Sequence, residues 1–343
     1  MVSDVCAIHA QVQSAAELSL WARVEDLTPG DVREALWNRR TLVRTWSIRG
    51  TLHLHRATEL PLYAAALSAN RRWWTRAWLN YVGLDAEGLD SLIEAIRRTL
   101  TDEPMTREEL AEKLSRRVGP RVREQLASGW GTLLKPAAFQ GSLISGPPRG
   151  QNVTFVRPDW WLRTWKAVDG EEAMREVFRR FLRGFGPGGH EDFAAWWGVQ
   201  PGRFRRVRQD LEDELDEVEV EGKRAWAASG DGRKMAALDP ASSVRLLPNF
   251  DAYVMGFRPR EQLYDMRFAA RVSRTAGWIS PVVLVEGRAA GVWGYQRSDR
   301  RIDVSIEPFE RLTAASRRGI KEEAERLGAF LGAPARVSFA PVG

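Results

Sequence analysis

The side chains able to do covalent chemistry in this 343-residue chain are few. Its one cysteine, Cys6, excludes an internal disulfide and a cysteine-based zinc finger. His53 and His55 stand two apart, a spacing that puts both on one face of a strand. A bound metal needs more ligands, and only His9, His190, Cys6 and carboxylates could supply them, so no metal is expected. There is no Gly-x-x-x-x-Gly-Lys-Ser/Thr loop for a nucleotide phosphate and no Gly-x-Ser-x-Gly elbow for a nucleophilic serine. No Asp or Glu stands out as a general acid or base. What remains is His9-Ala10-Gln11-Val12-Gln13. In an extended segment Gln11 and Gln13 face the same side, where paired carboxamides can hold a water through its hydrogens and a lone pair. An ordinary polar segment carries the same residues, and on residue types alone both readings stand.

A second chemistry is anion binding. Lys and Arg total 51 against 45 Asp and Glu, giving a formal charge of +6, and only six of the basic residues are lysines. Arginine grips phosphate through two parallel hydrogen bonds and stacks on rings, which lysine does not do. Arg39, Arg40, Arg44 and Arg49 flank one predicted hairpin, while Lys135 sits on a predicted helix. Arg203, Arg205, Arg206 and Arg208 lie off the Phe204/Val207 face of another helix, free to meet phosphates, with the acidic run 212–221 set apart from them. Arg71, Arg72 and Arg76 interleave with Trp73, Trp74 and Trp78, an arrangement that stacks on bases or packs a core.

The elements that must position these residues repeat one order. Leu89, Leu92, Ile93, Ile96 and Leu100 predict a helix over 88–101. Thr106-Arg-Glu-Glu109 is a capping box opening a second helix that runs along Leu110, Leu114 and Val118, interrupted at Pro120. A third is expected over 129–140, followed by a hairpin over 142–156. The order returns with helices at 173–185, at 190–197, and from Pro201 along Phe204, Val207, Leu211 and Leu215, then a hairpin around Glu221-Gly222. A weaker copy starts at Thr28-Pro29-Gly30-Asp31, with strands at 42–48 and 51–55. Helix, helix, helix, hairpin is the order of a winged helix. Past Leu246, β-rich segments at 281–286, 289–295 and 301–306 precede a helix over 308–331 and a strand at 335–339. The predicted fold is α+β: winged-helix units over 1–85, 86–160 and 161–240, then a β-rich, barrel-like domain over 241–343. No apolar run of about 18 residues and no secretory leader is evident, so a cytoplasmic, monomeric protein is expected.

Several motifs together resemble the AlkZ-like winged-helix DNA glycosylases, a family that includes the YcaQ branch. They are Ala10-Gln11-Val12-Gln13, Thr45-Trp46-Ser47-Ile48-Arg49-Gly50-Thr51-Leu52-His53 and Leu134-Lys135-Pro136-Ala137-Ala138-Phe139-Gln140-Gly141. Trp196-Trp197-Gly198, Leu246-Leu247-Pro248-Asn249-Phe250-Asp251 and Gly277-Trp278-Ile279-Ser280-Pro281-Val282-Val283-Leu284 complete the set. The resemblance implies hydrolysis of the N-glycosidic bond of bulky N7-alkylguanines or their interstrand crosslinks, with Gln11 and Gln13 positioning the water and no cofactor. It implies substrate-lining or structural places for His9, Arg49, Thr51 and His53. The YcaQ branch has Asp at the second glutamine; Gln13 resembles the branch tied to self-resistance against DNA-alkylating antibiotics. The implied partner is double-stranded DNA carrying alkyl adducts. A non-enzymatic winged-helix DNA binder, such as a transcriptional regulator, and a protein that sequesters the alkylating drug are the competing readings.

Overall fold

A computed structural model describes residues 1–69, 75–115, 119–129, 131–239, 242–256 and 259–342. Arg71, Arg72, Trp73, Trp74 and Val118 lie outside the described residues. The chain forms a mixed α/β fold in two compact units: one from Met1–Val32, Phe181–Trp196 and Glu212–Gly343, the other from Arg33–Arg180 and Trp197–Leu211.

In the first unit, the short strand β1 (Ile8–His9) leads through a bend into a helix over Gln13–Trp21. The sequence pattern does not predict this helix; the glutamine segment reads as extended. No side chain caps it, and it is buried on more than one face, so neither a capping signal nor an amphipathic stripe marks it. Leu18, Trp21 and Ala22 enter a core shared with the C-terminal sheet.

That sheet consists of β9 (Val244–Leu247), β10 (Val282–Val285), β11 (Arg288–Arg297), β12 (Ile302–Pro308) and β13 (Ala335–Phe339), in that spatial order. Pairing is antiparallel except between β12 and β13, where Val304 lies opposite Val337 in parallel register. The expected barrel does not form, because the order leaves β9 and β13 as open edges. The helix Ala314–Leu331, which makes the crossover into β13, packs against both edge strands. It buries Ile320, Ala324, Leu327 and Phe330, covering apolar surface that closure would otherwise have to hide. This helix starts six residues later than predicted, at the cap Thr313, whose hydroxyl accepts from the Ser316 amide at 3.0 Å.

The second unit contains the hairpin β2 (Leu42–Trp46) and β3 (Leu52–Arg56), paired with Thr45 opposite His53. Helices Ala86–Thr99 and Arg107–Leu114 match their predicted patterns, and the capping box at Thr106 and Glu109 is formed. Pro120 opens a separate helix, Pro120–Ala127. The helix expected over 129–140 is confined to Leu134–Phe139. Left-handed glycines bracket it: Gly131 (φ +63°) and Gly141 (φ +66°). A Cβ on Gly141 would stand 2.4 Å from the Trp165 ring, and one on Gly131 the same distance from Trp46. β4 (Met105–Thr106), β5 (Ile144–Arg149) and β6 (Asn152–Val156) complete a three-stranded sheet in the order β4-β6-β5.

Further on, the helix expected to run from Pro201 through Leu215 stops early. A helical segment over Arg205–Gln209 is followed by a 3₁₀ turn, and Leu215 begins β7 (Leu215–Val220), paired with β8 (Lys223–Ala228) in the first unit. Alternation from Leu215 to Val220 is the strand period, and pairing of Leu215 with Ala228 claims that residue for the sheet.

Gly141→Ala is expected to cost about 2 kcal/mol or more, because the left-handed backbone and the Trp165 ring both oppose a Cβ. Calorimetry checks this as a fall of several degrees in Tm.

Candidate functional site

The amide pair lies at the entrance to the first helix. Gln11 is exposed in a bend, Val12 has extended dihedrals (φ −106°, ψ 111°), and Gln13 is the first helical residue. The two therefore do not alternate along a strand, and the same-face argument from period two does not hold. What orients Gln13 is helical spacing: its Nε2 donates to Oε1 of Glu17, one turn on, at 3.1 Å. Glu17 escaped the sequence reading because the helix did; an i, i+4 Gln–Glu pair becomes a signal only once helical period is assumed. Tyr295 on β11 is close enough to Glu17 to feel its charge. Burial pushes the Tyr295 phenol up, with Arg297 opposing and Glu17 reinforcing the shift.

Behind the pair, His9 is buried, and its ring stacks on Phe250 with centroids 4.6 Å apart and planes 30° from parallel. Phe250 adopts a left-handed backbone (φ +57°), which costs a non-glycine residue on the order of 1–3 kcal/mol. Its two neighbours hold that turn. The Asn249 amide donates to the Ile279 carbonyl at 3.2 Å. Asp251, fully buried, accepts both guanidinium nitrogens of Arg23 at 2.7 Å, the Ser19 hydroxyl at 3.0 Å and the Tyr253 amide at 2.9 Å. Burial works against the Arg23 charge, but Asp251 more than offsets it and the guanidinium is net raised. This network ties the first helix to the Leu246–Asp251 segment.

In the second unit, Arg49 occupies the left-handed turn (φ +57°) between β2 and β3. The Thr51 hydroxyl donates to the Ile48 carbonyl at 3.2 Å. His53 is buried, its Nδ1 3.0 Å from the Thr51 carbonyl. His55, whose ring centroid is 6.2 Å from that of His53, is fully buried against Tyr63. Neither ring nitrogen of His55 has a hydrogen-bond partner among the described residues, and burial pushes its pKa down to about 3. His55 is thus a neutral core residue. Among the described residues no group of three or more His, Cys, Asp or Glu side chains could hold a metal.

The basic residues separate into two kinds. Arg44 and Lys135 are half-buried, and burial lowers both from their usual values. Arg205 and Arg206 are exposed and Arg208 half-buried on the Arg205–Gln209 helix; the Arg203 side chain lies outside the described residues. Arg39 and Arg40 line a cleft of about 540 Å³ together with Arg56 and Arg163, two residues the sequence reading missed. Asn38, Thr41, Thr58 and Trp161 are also in its wall, and no carboxylate is. Arg40 stacks on Trp161 with its guanidinium carbon 3.5 Å from the ring centroid and donates to the Trp161 carbonyl at 2.9 Å. The cleft joins 38–41, 56–58 and 161–164, and that long-range contact has no sequence signature.

An open mixed sheet, a helix entrance carrying two carboxamides and an arginine-lined cleft are the features available to a site. The family described as DNA glycosylase AlkZ-like matches residues 2–330, and the chain belongs to the AlkZ-like DNA glycosylase family. It is 34% identical over 306 residues to the interstrand DNA cross-link repair glycosylase of Streptomyces sahachiroi, spanning 85% of this chain and 81% of that one. The solved structure of Streptomyces sahachiroi DNA glycosylase AlkZ is similar at a TM-score of 0.88 and 33% identity, covering 98% of this chain and 92% of that one. A non-catalytic DNA binder is thereby set aside.

Asp251→Ala leaves the Arg23 charge without its carboxylate and is expected to cost about 3–5 kcal/mol, read as a large fall in Tm. For His55, the folded chain stays neutral where the unfolded chain takes up a proton, so protons favour unfolding. Stability is full above about pH 6.5 and falls as pH drops toward 3, by up to about 1.4 kcal/mol per unit. Urea titrations across that range should show the slope, and His55→Phe should flatten it.

Proposed function

We propose that this glycosylase releases bulky N7-alkylated guanine from double-stranded DNA by hydrolysing the N-glycosidic bond, with Gln11 and Gln13 holding the attacking water. The observation that carries this is the held carboxamide at the helix entrance. With Nε2 of Gln13 fixed on Glu17, its Oε1 is oriented to accept from a water O–H, and exposed Gln11 supplies the second amide. An N7-alkylated purine carries positive charge and leaves as a neutral base, so no general acid is needed. The transition state resembles an oxocarbenium sugar, which an aligned water captures, and alignment is the main contribution asked of the protein. Amides suffice for that task and leave undamaged nucleosides intact.

Interstrand crosslinks, the substrate named for the Streptomyces sahachiroi relative, belong to the same chemistry and are included in the proposal, as is a role in repair or in self-resistance to a genotoxic natural product. Three winged-helix units over 1–85, 86–160 and 161–240, followed by the β-rich part over 241–343, act in one monomeric chain that works in the cytoplasm. In chain order, helices Gly170–Phe185, His190–Trp197 and Arg205–Gln209 precede the β7–β8 hairpin, the sequence of elements that this reading expects. Arg39, Arg56 and Arg163 grip backbone phosphates, with Arg205, Arg206 and Arg208 as a second set; the carboxylate-free lining of the cleft supports the first. Arg44, Arg49, Lys135 and Arg203 are assigned to the same DNA contact, and His9, Thr51 and His53 to the substrate-lining shell.

Two outcomes are expected. Gln11→Ala/Gln13→Ala should lose at least 100-fold in base release from a duplex with one N7-alkylguanine, scored by cleavage of the abasic product; unchanged release overturns the assignment. Arg56→Ala/Arg163→Ala should weaken duplex binding and reduce the slope of log affinity against log salt by about 2, as measured by fluorescence anisotropy.

A further inference from the structure

Two of the sequence motifs, Leu246–Asp251 and Gly277–Leu284, carry no role in the mechanism above, yet both converge on the strand that leads into the amide pair. Phe250 stacks on His9, two residues before Gln11. On the side of Phe250, Trp278 meets it edge-on, centroids 4.9 Å apart and planes at 72°. Trp278 is 44% exposed, so an aromatic column rises from buried His9 through Phe250 to an indole open to solvent. Its position is set by backbone bonds. The Trp278 amide donates to the Thr275 carbonyl at 3.2 Å, and the Arg274 amide donates to the Trp278 carbonyl at 2.8 Å. Ala276 beside it is left-handed (φ +56°), as is Phe250. Two strained non-glycine residues in adjoining loops are the pattern of a site where geometry is held for function.

We propose that the exposed ring of Trp278, braced edge-on by Phe250, is the platform on which the alkylated purine stacks. The inference rests on the glycosylase reading given under Proposed function and deepens it by naming what grips the leaving base. A planar purine cation is attracted to an aromatic face by stacking and by the negative face of the ring quadrupole. As the glycosidic bond breaks, the purine becomes neutral and the positive charge passes to the sugar. The platform therefore gives no stabilisation specific to the transition state, so its loss raises KM and does not lower kcat.

The test is steady-state base release from a duplex containing a single N7-alkylguanine, with wild type, Trp278→Ala, Trp278→Leu and Trp278→Phe. Trp278→Ala should raise KM about 10-fold while kcat changes less than about 3-fold. Trp278→Phe should restore most of the affinity and Trp278→Leu should not. Affinity for undamaged duplex should be the same for all four proteins, and matching Tm values show that each is folded. A wild-type KM in Trp278→Ala, or Leu serving as well as Phe, overturns the platform while leaving the glycosylase reading intact. Wild-type protein that releases no base overturns that reading and the platform with it.

Discussion

The buried Asp251 carboxylate is the constraint on which the first unit depends. It has no exposure to water, so its charge is tolerable only while Arg23, Ser19 and the Tyr253 amide all engage it. Ser19 lies on the first helix and Arg23 just beyond its end, so satisfying Asp251 fixes where that helix docks. The helix begins with Gln13, and Asp251 also follows Phe250, on which His9 stacks. One electrostatic requirement thus sets the place of the amide pair and the backbone turn behind it. Hydrophobic burial around Leu18, Trp21 and the C-terminal sheet supplies much of the attraction, but burial is non-directional and alone would not choose this register.

The arginines divide by the same logic of compensation. Along the helix Gly170–Phe185, Arg175 and Arg179 bind Glu172, and Arg180 binds Glu176 and Glu59. Those cations are already neutralised by the fold and offer little to an outside anion. Arg39, Arg40, Arg56 and Arg163 line a cleft with no carboxylate in its wall. A net charge of +6 does not distinguish these groups, yet their electrostatic roles are opposite.

Legibility varied with the source of each signal. Thr106 and Glu109 were readable because a capping box is local, satisfied within four residues of backbone. The strand at 335–339 and the helix His190–Trp197 were readable because their periods are pure. The helix Gln13–Trp21 was not, because it is buried on several sides and loses its periodic contrast. Leu215 was misplaced on a helix because Phe204, Val207 and Leu211 extend a helical spacing by chance into a residue the β7–β8 pairing claims. The barrel was misread because strand content says nothing about whether the first and last strands meet.

By itself the sequence determined the candidate chemistry. Residue types excluded disulfide, phosphate-loop and serine-elbow chemistry whatever the fold, while Gln11 and Gln13 were singled out by the resemblance to a known family. It also determined single elements such as the helix opened by the Thr106 capping box, which follow from local period and capping. Only the tertiary structure decided which groups act together. Glu17 beside Gln13 requires the helix, and Arg56 beside Arg39 and Arg163 requires chain segments far apart in sequence to share a cleft. The stacking of Phe250 on His9 requires a contact across more than 240 residues. Those contacts are set by core packing and by the satisfaction of buried charge, which are sums over the whole unit and leave no local mark in the sequence.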